Sequence, residues 1–209
     1  MVELTETAYH DEDFTDVDWR GLLIDGISFD DCDFTDASLA ECRTVRAAFS
    51  GCTFTGTELY STDHRGTSFV NCTFDRAAWH SSRLVDCRLT GSVFVDCRFV
   101  PIVITDCDLT LVSLGGATLV GTDLAGLRLR EANLTEADLS RCDLRGADLT
   151  GARATGLRLT GADLRGARID PGAWVAANLT GARVDVDQAV LYAAAHGLVL
   201  RADDDSAEP

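Results

Sequence analysis

Large apolar side chains recur at every fifth position of this chain, from Phe14 to Val184. Of these 35 positions, 32 hold Leu, Ile, Val, Phe or Trp, and the exceptions are Thr44, His64 and Ala154. A period of five fits neither an α-helix, with about 3.6 residues per turn, nor a strand, in which side chains alternate. It fits a chain that turns one corner per five residues and buries its apolar side by stacking on neighbouring units. The pattern therefore predicts an all-β solenoid.

The other positions of the five-residue unit carry their own residue types. All eight cysteines and many alanines stand two residues before a large apolar centre, which predicts a second inward-facing position. Fifteen of the 18 glycines, together with Pro101 and Pro171, stand two residues after a centre. Glycine adopts positive φ without steric cost and proline holds φ fixed, so this position is the predicted corner. The remaining two positions are mostly polar and predict solvent-facing side chains.

The units match a known sequence motif. Residues 132–136, 137–141 and 147–151 read ANLTE, ADLSR and ADLTG, and they resemble the A(D/N)LXX repeat of pentapeptide-repeat proteins. The resemblance implies a right-handed quadrilateral β-helix with four pentapeptides per coil, over residues 1–186. The cysteines then read as buried free thiols that pack as small hydrophobic groups, because no CxxC spacing is present and their separations are multiples of five.

The repeat stops at Asp185, and residues 187–197 predict a short C-terminal α-helix. Asp185 or Asp187 can cap its N-terminus, and Gly197 suits its C-terminal end. The apolar stripe of the helix and the segment after it give the predicted dimer interface: Val186, Val190, Ala193, Ala194, Leu198 and Leu200. Two interpretations stay open: the helix only covers the end of the solenoid, or residues 187–200 also meet a second copy. Residues 201–209 are acidic and predict a disordered tail.

Charge narrows the range of partners. The 209-residue chain has no lysine, and 18 arginines against 34 acidic residues give a formal net charge of −16. Such a charge argues against direct nucleic-acid binding, because a DNA-binding protein has to neutralise phosphates. It fits competition with DNA, or acidity that only keeps an elongated surface in solution. No apolar run is long enough for a membrane span and no signal peptide is recognisable, so a cytoplasmic location is expected.

A constant phase lets the charges be sorted by face, if each coil has 20 residues. The face formed by the unit centred on Phe14 and every fourth unit after it carries eight acidic residues and two arginines. The other three faces are closer to balance. A rod of about nine coils at strand spacing is roughly 40 Å long, and DNA of that length carries about 24 phosphate charges. This face therefore predicts a mimic of DNA, with these residues as the expected contacts: Asp33, Asp36, Asp75, Asp96 and Glu136.

Several segments outside the generic motif resemble one subfamily, the mycobacterial fluoroquinolone-resistance proteins of the MfpA type. These are residues 64–66 (HRG), 71–74 (NCTF), 91–95 (GSVFV), 181–190 (GARVDVDQAV) and 193–198 (AAAHGL). The resemblance implies a homodimer joined through the C-terminal segments, with DNA gyrase as the partner. It further implies modulation of supercoiling and protection of gyrase from fluoroquinolones.

No feature of the sequence favours an enzyme. The four histidines, His10, His64, His80 and His196, have no metal-ligand or triad spacing, and no phosphate-binding GxxxxGK[ST] motif is present. His64 stands at a centre position and is expected to be a hydrogen-bonded core histidine. We therefore expect no catalytic residue, no metal and no cofactor. The alternative function is a passive interaction scaffold whose partner is not a topoisomerase.

Overall fold

The computed structural model describes residues 4–199, and over this range the chain winds as a parallel β-helix. Every β-bridge joins two residues that are 20 positions apart, such as Asp13 with Asp33 and Asp163 with Arg183. Four five-residue units therefore complete one coil, as the sequence predicts. Leu200 and the predicted tail, residues 201–209, lie outside the described residues.

The strands are short and all pair in parallel. In chain order they are β1 (Ala8–His10), β2 (Leu23–Asp25), β3 (Ser28–Asp30), β4 (Arg43–Val45), β5 (Ala48–Ser50), β6 (Asp63–Arg65), β7 (Ser68–Val70), β8 (Thr73–Asp75), β9 (Ser82–Val85), β10 (Val93–Val95) and β11 (Ile102–Thr105). They form three sheets with the orders β1-β3-β5-β7, β10-β8 and β11-β9-β6-β4-β2. Beyond β11, single bridges continue the ladder as far as Arg183.

Two short α-helices lie near the C-terminal end of the described chain, α1 (Pro171–Ala176) and α2 (Val186–Ala195). Neither has the length and apolar character that a membrane-spanning helix needs. The β-helix with a short C-terminal helix is the fold that the repeat predicts.

The corner of nearly every unit has a left-handed backbone conformation, and the predicted corners Pro101 and Pro171 are exceptions, since Pro171 begins α1. Fifteen glycines of the repeat adopt it, but so do 17 other residues, most of them Asp, Glu, Arg or Ser. Asp36 and Asp96, for example, have φ of 55° and 49°. Aspartate tolerates this conformation better than most residues do. The predicted corner is therefore confirmed, and many corners carry a charged side chain in place of glycine.

Two kinds of core fill the β-helix. In the N-terminal coils, phenylalanine rings of successive coils stack in columns, and the ring centroids of Phe34 and Phe54 lie 4.9 Å apart with an interplanar angle of 4°. Phe74 continues this column at 4.7 Å from Phe54. From Leu109 onward, most centres are leucine. The stacked rings match the strand spacing of about 4.8 Å, so aromatic stacking and the backbone ladder support each other.

The second inward-facing position carries hydrogen-bonding side chains as well as alanine. The thiol of Cys42 donates to the carbonyl of Trp19 at 2.8 Å, and the hydroxyl of Thr57 donates to the carbonyl of Phe34 at 2.8 Å. In both cases the acceptor stands 23 residues earlier, in the preceding coil. All eight cysteines are free, as predicted. Burial raises the pKa of Cys42 to about 11, so its thiol is protonated at neutral pH.

The ladder is interrupted on two faces near the middle of the rod. Within residues 4–199, no β-bridge joins Arg98 to Thr118 or Val103 to Asp123, although the coils on either side pair at these positions. The interruption follows Phe99, after which leucine replaces phenylalanine in the core. The bridge from Val93 to Ser113 stays intact although Leu114 follows Phe94 in the core there, so the change of core residue does not by itself account for the interruption.

The last coil departs from the repeat. The five-residue pattern predicts a β-helix unit centred on Trp174, but residues 171–176 form α1 instead. Trp174 is still part of the core and only 2% exposed. This explains why a large apolar residue stands at this position, as the five-residue pattern requires. A unit of the final coil has a neighbouring coil on one side only, whereas a helix bonds its own backbone groups.

Helix α2 closes the C-terminal end of the β-helix. Asp185 accepts a hydrogen bond from the Gln188 N–H at 2.9 Å, and Gln188 Oε1 accepts one from the Asp185 N–H at 3.0 Å, which forms a capping box. The buried side-chain amide of Gln188 donates to the carbonyls of Leu164 and Ala167, at 2.6 and 2.8 Å. Gln188 thus supplies donors that a further coil would otherwise provide.

Replacing Gln188 by Ala is expected to destabilise the fold by about 2–4 kcal/mol, because the Ala167 carbonyl loses its donor, the Leu164 carbonyl keeps only the Ala167 N–H and the capping box loses its glutamine side chain. Urea unfolding followed by circular dichroism measures the change. Asp187→Ala, an exposed substitution in the first turn of α2, is the control and should stay within about 1 kcal/mol of the unchanged protein. Equal stability of the Gln188→Ala variant would show that this end of the β-helix needs no such donor.

His64 occupies a centre position inside the aromatic core. Its Nδ1 lies 2.7 Å from Thr44 Oγ1, which in turn lies 2.6 Å from Thr67 Oγ1. The imidazole packs edge-on against Phe69, with ring centroids 5.2 Å apart. Burial lowers the pKa of His64 to about 3, and the charge of Asp63 opposes the shift. His64 is therefore the neutral, hydrogen-bonded core histidine that its position predicts.

The buried His64 makes the fold sensitive to acid. Its folded pKa of about 3 lies below the ordinary value of 6.5, so its contribution to stability is present above pH 6.5 and is lost as the pH falls toward 3. At about pH 4.5 this loss amounts to roughly 3 kcal/mol. His64→Leu, which copies Leu84 of the next coil, should lose that much less stability than the unchanged protein between pH 8 and about 4.5. Urea unfolding at both pH values tests this, and equal losses would contradict it.

Candidate functional site

The twenty-residue coil fixes which side chains share a face. One ladder of bridges runs through Asp13, Asp33, Thr53, Thr73, Val93, Ser113, Asn133 and Arg153. We call this side of the rod the acidic face, and it consists of residues 12–16, 32–36, 52–56, 72–76, 92–96, 112–116, 132–136 and 152–156. The sorting of charges by face assumes 20 residues per coil, and the observed bridges have this spacing.

The five predicted contact residues occupy two kinds of position on the acidic face. Asp36, Asp96 and Glu136 are exposed at corners, with φ of 55°, 49° and 59°. Asp33 and Asp75 flank buried centres and are half-buried. The chain brings Asp33 and Asp36 together in one unit, whereas Glu136 lies two coils beyond Asp96. The five residues therefore follow one side of the rod without forming one compact cluster.

Neighbouring groups occupy two of these five carboxylates. Asp33 accepts hydrogen bonds from the N–H and the hydroxyl of Thr35, at 2.9 and 2.6 Å. Asp75 pairs with Arg76 at 2.7 Å. Across residues 4–199, no arginine lies within 4.0 Å of the three corner carboxylates. These three are accordingly the ones best placed to contact a partner.

The other three faces neutralise much of their own charge. Of the nine arginine–carboxylate ion pairs among residues 4–199, eight lie outside the acidic face. Several join successive coils, such as Asp148 with Arg168 at 3.5 Å and Asp138 with Arg158 at 3.1 Å. A hydrogen bond from Thr150 holds the pKa of Asp148 below its usual range. The acidic face has a single such pair, so most of its charge is uncompensated.

The charge of the acidic face varies along the rod. Five of its eight acidic residues lie in the first two coils: Glu12, Asp13, Asp16, Asp33 and Asp36. The adjoining edge adds Asp11, Asp30 and Asp31. There the side chains of His10, Asp11 and Asp31 come within 4.8 Å of one another and are exposed. The negative charge is therefore strongest at the N-terminal end and weaker toward Glu136.

The C-terminal end presents an apolar helix surface. Helix α2 contacts the β-helix through Gln188 and Ala195, and Tyr192 lies edge-on to Trp174 with ring centroids 6.2 Å apart. The predicted interface residues of the described chain stay accessible: Val186, Val190, Ala194 and Leu198 are exposed, and Ala193 is half-buried. Val186 is 80% exposed. The contact that closes the β-helix and the predicted contact with a second copy therefore use different sides of α2.

Sequence reasoning did not identify Gln188 as the residue that closes the C-terminal end. The signal that could have found it is its position, three residues after Asp185, where a glutamine completes a capping box. Its second role, toward the carbonyls of the preceding coil, depends on how α2 lies across the β-helix. That arrangement is visible only in the structure.

Known proteins share this architecture. Residues 107–146 and 128–166 match the pentapeptide-repeat family, and residues 3–79 match the SV2A/B/C luminal domain. No curated protein matches the chain significantly in sequence. Full-length QnrB1 superposes over 91% of this chain and 100% of its own, at 19% identity and a TM-score of 0.76. A trypsin-treated QnrB1 variant covers 93% of this chain and 97% of its own, at 20% identity and a TM-score of 0.72.

The repeat motif, the twenty-residue coil and these matches define the architecture: the chain is a β-solenoid built of pentapeptide repeats, and its residues 107–166 match the pentapeptide-repeat family. At this level of identity, the likeness to QnrB1 concerns the fold alone. Function in this class has to be argued from the surfaces that the chain builds on that fold, which here are the acidic face and the exposed side of α2.

Proposed function

We propose that this protein binds DNA gyrase through the acidic face, in place of DNA, and thereby modulates supercoiling and protects the enzyme from fluoroquinolones. The observation that carries the proposal is the acidic face. It has eight acidic residues, and one of them, Asp75, forms an ion pair with an arginine. A basic groove that receives duplex DNA is complementary to such a surface. The fold is shared with QnrB1, described as a plasmid-mediated fluoroquinolone resistance protein, and this supports the resistance part of the proposal.

The proposal includes the finer resemblance to the MfpA type, a cytoplasmic location and a binding role without catalysis. Its alternative is a passive scaffold whose acidity keeps the rod in solution and whose partner is not a topoisomerase. The two differ in a measurable respect. The position of the carboxylates matters for DNA mimicry, whereas only their number matters for a rod that is kept in solution by charge.

Titration of the protein into a supercoiling assay with its cognate gyrase, with and without a fluoroquinolone, tests the proposal. The unchanged protein should alter supercoiling at micromolar concentration and reduce drug-dependent DNA cleavage. Higher salt should weaken both effects, because salt screens the attraction between the acidic face and a basic groove. Absence of any effect at micromolar protein would contradict the proposal.

A matched pair of variants separates the acidic face from the total charge. The first removes three unpaired charges from that face: Asp36→Asn, Asp96→Asn and Glu136→Gln. The second removes three exposed charges from the face through Ile24: Asp86→Asn, Asp106→Asn and Asp123→Asn. The first variant should weaken inhibition at least tenfold, and the second should leave it within twofold. Equal effects of the two variants would favour the passive scaffold.

We propose in addition that two copies associate through the exposed side of α2 and form a longer rod. The predicted interface residues Val190 and Leu198 are 45% and 63% exposed, although both are apolar. Apolar helix surfaces of this kind bury against a partner more favourably than against water. A second copy is the partner that the C-terminal resemblance implies.

Val190→Glu places a charge in the proposed dimer contact and should convert a dimer into a monomer in sedimentation experiments at about 20 µM protein. Leu23→Glu is the matched control, since Leu23 is 58% exposed on the β-helix, and it should leave the sedimentation unchanged. A monomeric unchanged protein at that concentration, or a Val190→Glu variant that stays dimeric, would contradict the proposed dimer.

A further inference from the structure

Two exposed apolar side chains interrupt the acidic face near its middle, and a third lies at the edge of that face. Val93 is 37% exposed, Val95 43% and Leu111 52%. Val93 and Val95 lie on β10, on either side of the buried Phe94. Leu111 occupies the corner directly before residues 112–116, which are the part of the acidic face in the next coil. We call Val93, Val95 and Leu111 the apolar patch.

The same positions in the other coils are mainly polar. The column of Val93 otherwise holds Asp13, Asp33, Thr53, Thr73, Ser113, Asn133 and Arg153. The column of Val95 holds Thr15, Thr35, Thr55, Asp75, Gly115, Thr135 and Thr155. The repeat therefore folds without apolar residues at these positions, and packing inside the rod does not require the two valines.

Leu111 also has an unfavourable backbone conformation. Its φ of 62° lies in the left-handed region, which costs a leucine about 1 kcal/mol or more. Among the 17 non-glycine residues of the described chain with positive φ, it is the one apolar residue. The corresponding corners of the two preceding coils hold Gly91 and Asn71, which tolerate this conformation. An exposed leucine that strains the backbone points to a contact outside the chain.

Small residues leave the apolar patch uncovered on its C-terminal side. Val93 bridges to Ser113, and the unit of Ser113 ends in Gly115 and Gly116. A β-carbon at Gly115 would come within 3.3 Å of the Asn133 side chain, which would have to move slightly to accommodate a larger residue. The surface beside the valines is consequently flat and accessible.

Carboxylates surround the apolar patch. Val95 is in register with Asp75 of the preceding coil and is followed directly by Asp96. Glu131 occupies the corner one coil beyond Leu111. Asp96 and Glu131 are exposed, and Asp75 is half-buried. The patch is thus an apolar centre with an acidic rim.

We propose that the apolar patch is a second contact for the protein partner of the acidic face, and that it receives an apolar side chain flanked by arginine or lysine on that partner. A surface that replaced only the phosphates of DNA would need carboxylates here. An apolar centre with a polar rim is the usual composition of a protein–protein contact. The inference rests on the proposed function, in which the partner is gyrase, and it adds a contact that does not depend on charge.

Binding of gyrase to three forms of the protein tests the apolar patch. The patch variant copies residues of neighbouring coils: Val93→Thr, Val95→Thr and Leu111→Asn. The control variant replaces apolar residues that are 58%, 47% and 50% exposed on other faces: Leu23→Thr, Val100→Thr and Val103→Thr. Thermal unfolding of both variants verifies the fold, and Leu111→Asn should preserve or raise the melting temperature because Asn accepts a positive φ.

The patch variant should bind gyrase at least tenfold more weakly than the unchanged protein, by a similar factor at about 50 and about 200 mM salt, since apolar contact is not screened. The control variant should bind within twofold of the unchanged protein. If the patch variant binds gyrase with an affinity within twofold of that of the unchanged protein, the inference is overturned and gyrase is still the partner. Failure of the unchanged protein to bind gyrase would overturn the proposed function and, with it, this inference.

Discussion

The whole structure depends on one constraint, the register of 20 residues per coil. Backbone groups find their partners one coil away, as in the bond from the Leu139 N–H to the Arg158 carbonyl at 2.9 Å. Each unit contributes one corner and one centre, so no part of a coil can shift by itself. A single inserted residue would move every later side chain out of its column. The register that holds the core together therefore also decides which surface side chains are neighbours.

Sequence reasoning reaches the fold because each requirement of the coil falls on particular residue types at one phase. Centres, small inward positions and corners are separately visible, and together they predict the coil length and the four faces. The same reasoning misses α1, because Trp174 satisfies the centre position in a strand and in a helix alike. The deciding factor there is the missing neighbour at the end of the rod, which is a property of the assembled coil and not of the local sequence.

The candidate site is only partly predictable for a similar reason. The phase assigns carboxylates to a face, but it does not say which of them are engaged by neighbours. Asp75 is paired with Arg76, and Asp33 accepts two hydrogen bonds from Thr35. The contact of Thr35 with Asp33 recurs at the same positions of other units, such as Asp148 with Thr150, so the repeat could have predicted it, whereas the pairing of Asp75 with Arg76 depends on side-chain conformation. The valines of the apolar patch have a sequence signal, since they stand in columns that are otherwise mainly polar, whereas the strained backbone of Leu111 requires the structure.

A one-sided charge is not something this fold needs. On another face, Asp148 and Arg168 of successive coils form an ion pair, worth up to about 1 kcal/mol at an exposed position. On the acidic face, Asp13 and Asp33 bridge in successive coils, and two such charges about 5 Å apart in water repel by somewhat less than 1 kcal/mol. The acidic face therefore gives up a stabilisation that the same backbone obtains elsewhere. It also exposes two valines and has a strained leucine at its edge, and departures from local stability concentrate at functional surfaces. Their coincidence on this face and at its edge is the physical reason to assign binding to it.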